Sequence, residues 1–151
     1  MTTKIQFNPH WLDLKGHPFR GFDVCCDRAS LFRYAAFVGG SETASGIEVL
    51  SGDMAKAFPT YAFSFEMKAG VVSEVVRLLG IPGSALLHAG QNFIYFQPVT
   101  EGQHLNVSSR VSDTFWNSAT GVFFLTKETL FSDGERVVLK SESVYAVRAE
   151  V

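Results

Sequence analysis

No cluster of lysines and arginines occurs anywhere in this chain, cysteine occurs only twice, and no apolar run approaches the length of a membrane span. Each scarcity removes a class of protein. Thirteen Lys and Arg stand against 15 Asp and Glu. Without a basic stripe the chain lacks the electrostatic footprint of a nucleic-acid binder, or of a protein held on an anionic membrane surface. A spanning helix needs roughly 20 predominantly apolar residues in a row, and no such stretch is present. Cys25 and Cys26 are neighbours that would point to opposite sides of a strand, a poor arrangement for bridging each other. A reduced, cytoplasmic setting is therefore expected. The opening MTTKIQFNPHWLDLKGHPF carries charged and polar residues throughout and no apolar core, unlike a secretory signal. His10, His17 and His104 form no pair at ligand spacing, and the cysteines are far from His88 in sequence, so neither a metal nor a bound cofactor is expected.

What the chain has in quantity is apolar and aromatic surface. Of 151 residues, 46% are hydrophobic and 14 are Phe, enough for one domain, residues 1–151, with a substantial core. FRGFDVCC reads as a short strand. Asp27 is placed to cap a helix through RASLFRYAAFV that stops at Gly39-Gly40. SETASGIEVLSGDMAKA follows, polar and glycine-containing, with no clear period. FPTYAFSFEMKAGVVSEVVRLLGIPG then predicts one long helix over residues 60–79, with Pro59 in its first turn, Gly80 as its stop and Pro82 just beyond. On a helical wheel Tyr61, Phe65, Ala69, Val72, Val75, Val76 and Leu79 share an apolar face. Glu66, Ser73 and Arg77 fall opposite it, as on a solvated face.

From residue 86 the period changes to two. Leu105, Val107, Val111 and Phe115 alternate with polar residues, the pattern of a half-buried antiparallel strand. GVFFLTKETLF and ERVVLKSESVYAV follow, joined by Asp133-Gly134, a two-residue hairpin signal. Strands this long, following one mostly apolar helix, predict an α+β hotdog fold: a long central helix wrapped by a curved antiparallel sheet. Its edges need covering, so a dimer is expected.

Phe58-Pro59-Thr60-Tyr61, Leu87-His88-Ala89-Gly90-Gln91, Gln97-Pro98 and Gly102-Gln103, with YAAFVGG upstream and VYAVR downstream, resemble in order and spacing the MaoC-like hydratase/dehydratase family, specifically its N-terminal FAS1-like dehydratase type. The resemblance covers residues 18–148. It implies a hotdog fold, with thioesters of coenzyme A or acyl carrier protein as substrates. Hydrating members of that family carry a Gly-Asp-x-Asn-Pro-x-His segment after the first helix, whose Asp and His activate water and exchange a proton with the α-carbon. General acid–base help of this kind is worth roughly 10²- to 10⁴-fold. Laid onto Gly39–Ser45, that segment puts Gly40 where the Asp would be and Ser45 where the His would be, and neither residue can move a proton in that way. The resemblance thus implies a non-catalytic subunit of a heteromeric (R)-specific enoyl-thioester hydratase or 3-hydroxyacyl dehydratase, shaping the acyl tunnel beside a second hotdog subunit that supplies the catalytic pair.

Two alternatives stay open. Glu66 and His88 could converge, with Thr60 holding a carbonyl or a water, to hydrolyse a thioester by general base catalysis in a homodimer. Otherwise the chain is a binding module for an acyl thioester, without chemistry. The residues expected to line a binding site are Thr60, Tyr61, Gly90, Gln91, Phe93 and Tyr95, with Ile94 and Phe96 considered for the same tunnel wall. His88 itself reads more readily as a structural histidine at the strand entrance than as an acid or base. Ser45 and Ser51 lack the glycine frame of a nucleophile elbow. Cys25 and Cys26 read as small strand residues.

Overall fold

The computed structural model describes residues 4–39 and 60–151, without the side chains of 35–39. Its centre is a five-stranded antiparallel sheet in the order β1-β3-β4-β5-β2, formed by β1 (Phe22–Cys25), β2 (Leu86–Tyr95), β3 (His104–Asn117), β4 (Val122–Asp133) and β5 (Arg136–Arg148). Among the described residues three α-helices accompany it: α1 (Arg28–Gly39), α2 (Tyr61–Lys68) and α3 (Val71–Leu79). The mixed α+β hotdog architecture expected from the sequence is what forms.

Local chemistry explains the element ends. The Ser30 amide donates to Asp27 Oδ1 at 2.8 Å, so Asp27 caps α1 as its position predicts. Gly80 ends α3 with φ 66°, a left-handed conformation in which its amide reaches back to the Arg77 and Val76 carbonyls. The β4–β5 hairpin closes at Asp133 paired with Arg136, with Gly134 at φ 59°.

The single helix predicted over 60–79 is two. Gly70 takes φ 74° and stands as the N-cap of α3, and a left-handed residue cannot continue a right-handed helix. The break resets the phase. Tyr61, Ala62, Phe65 and Glu66 are buried on α2, and Val71, Val75 and Leu79 on α3, whereas Ala69, assigned to the apolar face, is exposed. Glu66, assigned to the solvated side, is 1% exposed.

A second correction has the same origin. A bulge between Val111 and Asp113 inserts an extra residue in β3 and inverts the parity beyond it. Phe115, expected in the core, is 56% exposed, while Trp116 packs inward.

The helices divide the interior into two apolar clusters. Tyr61, Ala62 and Phe65 of α2 pack with Leu105, Val107, Phe131 and Leu139. Val75 and Leu79 of α3 pack with Val111, Phe123, Leu125, Tyr145 and Val147. The Trp11 indole N–H, donating to the Leu79 carbonyl at 3.1 Å, ties the N-terminal segment to the end of α3.

Candidate functional site in a buried polar belt

Strand pairing lays the inward side chains of β3, β4, β5 and β2 in transverse rows. The row Val107, Phe131, Leu139, Tyr95 is apolar, and so is Trp116, Phe123, Val147, Leu86 at the other end. Between them run Ser109, Thr129, Ser141, Phe93 and then Val111, Lys127, Ser143, Gln91. Lys127, Thr129, Ser141 and Ser143 are wholly buried. A polar belt therefore crosses the concave face between the two apolar clusters.

Glu66 descends into this belt from α2. Lys127 Nζ donates to Glu66 Oε2 at 2.6 Å and to Thr129 Oγ1 at 2.5 Å, while Glu66 Oε1 has no hydrogen-bond partner among the described residues. Burial pulls the Lys127 ammonium below the usual lysine range, and the Glu66 carboxylate opposes that pull. The pairing follows from the strand pattern. In Phe123-x-Leu125-x-Lys127-x-Thr129-x-Phe131, strict alternation sends Lys127 inward, where a lysine requires an anionic partner. That signal stands in the sequence, yet Lys127 was not among the residues singled out from it.

The other end of the belt is at β2. His88 Nε2–H donates to Gln91 Oε1 at 3.1 Å, Ser143 Oγ donates to the same oxygen at 2.8 Å, and Gln91 Nε2 donates to Ser141 Oγ at 2.7 Å. The imidazole stacks on Phe63 of α2, with centroids 5.1 Å apart and planes 7° apart, and lies 5.6 Å from the Tyr145 ring. Burial, with Glu66 adding to it, pushes the Tyr145 phenol up to about 12. His88 is exposed at the sheet edge and Gln91 is half-buried.

The other expected site residues are distributed unevenly. Tyr61 is core, at 1% exposure. Thr60 Oγ1 lies 2.6 Å from the Tyr34 hydroxyl. Gly90 follows the bulge in β2, and a Cβ added there would lie in ordinary contact with the Val144 side chain. Alternation splits the proposed aromatic wall: Phe93 and Tyr95 turn inward against the α2 cluster, whereas Ile94 and Phe96 are exposed. All four cannot line one surface. The segment Gly40–Ser45, to which the catalytic motif was aligned, lies outside the described residues, as do Ser51, Phe58 and Pro59.

No hydrogen bond joins Glu66 to His88. Lys127 holds the carboxylate through Oε2 and Gln91 holds the imidazole, so among the described residues Glu66 and His88 do not meet as an acid–base pair. Among the described residues no helix is long and apolar enough to cross a membrane.

A family model described as FAS1-like, dehydratase domain region, matches residues 48–140. Among solved structures, the chain is similar to the C-terminally truncated HadBC (3R-hydroxyacyl-ACP dehydratase) complex of Mycobacterium tuberculosis, with TM-score 0.66, 17% identity, and coverage of 89% of this chain and 97% of that one. It is also similar to the ChsH1-ChsH2 complex of the same organism, with TM-score 0.65, 11% identity, and coverage of 89% and 86%. R-hydratase PhaJ1 of Pseudomonas aeruginosa follows with TM-score 0.57, 15% identity, and coverage of 90% and 83%. At these identities the likeness establishes the fold. No protein of curated function matches the chain.

Proposed function

From the premise that this chain belongs to the FAS1-like dehydratase domain family, as the match over residues 48–140 shows, we propose that it is the non-catalytic subunit of a heteromeric enoyl-thioester hydratase or 3-hydroxyacyl-thioester dehydratase. The reading rests on the motif laid onto the sequence by resemblance, upstream of the matched residues 48–140: it puts Gly40 and Ser45 where hydrating members carry Asp and His. Hydration needs a base to activate water and an acid to protonate the α-carbon, and glycine and serine supply neither. A second hotdog chain with the pair intact would supply both.

The exposed edge supports a partner. Among the described residues β2 pairs with β5 on one side only, and Leu87, Ile94 and Phe96 on or beside it are 61%, 40% and 60% exposed. An unpaired edge with apolar flanks is a template for adding strands from another subunit. HadBC and ChsH1-ChsH2, both similar in fold, are themselves complexes. In this arrangement the acyl thioester, on coenzyme A or acyl carrier protein, passes between the subunits, with His88 and Gln91 at the seam. Hydrolysis through Glu66 and His88 is disfavoured because the carboxylate is ion-paired with Lys127 and the imidazole is bound to Gln91 rather than to it.

The test is to isolate the tagged chain from its source organism, identify copurifying chains by mass spectrometry, and assay the complex for trans-2-enoyl-CoA hydration. The reading requires a hotdog partner bearing the Asp and His, and an activity absent from the isolated chain. A homodimer that hydrates on its own contradicts it.

A further inference from the structure

Cys25 and His104 face each other directly across β1 and β3, with Cys25 Sγ 3.8 Å from His104 Nε2. Both are exposed. Inward alternation of Val24 and Leu105 places the pair on the outer face of the sheet, where it opens into a cleft of about 510 Å³ that also includes Asp23, Asn106, Ser132 and Asp133. Neither residue has a part in the proposed hydratase function, and the edge they occupy is the opposite one from β2. A partner added at β2 leaves this cleft where it is.

We propose that Cys25 is a nucleophilic thiol served by His104, and that the cleft takes the β-carbon of an α,β-unsaturated thioester on an uncharged pantetheine-type arm. The thiolate is the reactive form of cysteine. With its own proton on Nδ1, the imidazole has Nε2 free to accept the Sγ proton. The Sγ–Cβ bond forms as the Cα=Cβ electron pair moves toward the thioester carbonyl, and the imidazolium returns the proton to Cα. No leaving group and no co-reactant are needed, and the product is a saturated thioether.

The charge in the cleft selects the arm. Asp23 accepts from Asn106 at 2.9 Å and Asp133 from Gln103 at 3.3 Å, and among the described residues neither carboxylate is paired with a lysine or arginine. Two carboxylates incompletely offset by amides repel the phosphates of coenzyme A and tolerate a neutral pantetheine. The adjacent Cys26 is an internal control, because burial pushes its thiol up to about 12.

The identity of the electrophile rests on the proposed function, whereas the reactivity of the pair does not, and two reagents separate them. The purified chain is treated near neutral pH with iodoacetamide and, separately, with crotonyl-pantetheine, and intact mass and peptide mapping report the rate and position of modification. General base help predicts that Cys25 reacts at least about tenfold faster than N-acetylcysteine with both reagents. Cys26 should stay unmodified, His104→Gln should fall to the free-thiol rate, and Cys25→Ser should abolish the adduct. Crotonyl-CoA should react more slowly than crotonyl-pantetheine. A free-thiol rate with iodoacetamide, or a rate unchanged in His104→Gln, overturns the dyad. A fast reaction with iodoacetamide alone overturns the unsaturated thioester as its ligand.

Discussion

At the scale of single residues, Lys127 and Glu66 form an ion pair buried in the interior. A buried ion pair often contributes less than well-packed apolar side chains of similar volume, yet removing one member strands a charge at a cost of about 3–5 kcal/mol. Lys127→Met should therefore lower the urea-unfolding free energy by about that amount. Glu66→Leu with Lys127→Met together should return it to within about 1 kcal/mol of the parent, or above it. A double variant as unstable as the single one would mean that the pair itself stabilises the fold. On the outer face, Lys140 at 2.7 Å and Arg110 at 3.2 Å from Glu128 hold its carboxyl below the usual carboxylate range, the Lys140 hydrogen bond contributing most. The unfolded state therefore takes up this proton first as pH falls. The contribution is present at neutral pH and is lost on acidification through the carboxylate range. Urea midpoints measured against pH should show a smaller acid loss for Glu128→Gln than for the parent.

At the scale of elements, glycine and bulges decide what a linear pattern cannot. Gly70 holds φ 74°, and a Cβ there would meet nothing within 4 Å among the described residues. The cost of Gly70→Ala is then a backbone cost, about 1–2 kcal/mol in denaturant unfolding. A neutral result would show that the α2–α3 break is not imposed at this residue. Capping by Asp27, the stop at Gly80 and the β4–β5 hairpin were legible because each depends on nearby residues. The α2–α3 break and the β3 bulge were not. A glycine inside a helical pattern can be tolerated at a cost or can break the helix, and one extra residue in β3 inverts Phe115 and Trp116 without altering the composition of the strand. The polar belt was half legible. Glu66 and His88 were picked out from the sequence. The inward turn of Lys127 follows from alternation within β4, but its meeting with Glu66, and that of Gln91 with Ser141 and Ser143, depend on which elements pack together, which no single strand encodes.

At the scale of the whole molecule, the sheet has two different ends. At one end β1 and β3 carry the thiol–imidazole pair between them, and at the other β2 carries exposed Leu87 and Ile94 beside the His88–Gln91 end of the belt. The account assigns β2 to the partner subunit. Ile94→Asp should weaken copurification of that subunit while changing the unfolding free energy of the isolated chain by no more than about 0.5 kcal/mol, as for an exposed position. Unchanged copurification would move the interface elsewhere. The central claim, that this chain holds the fold of a hydratase without its acid and base, is tested most directly by the rate at which the purified chain alone hydrates crotonyl-CoA and a longer trans-2-enoyl-CoA. The account predicts no rate above the uncatalysed reaction. Turnover by the isolated chain would contradict it, because the proton transfers would then come from residues of this chain.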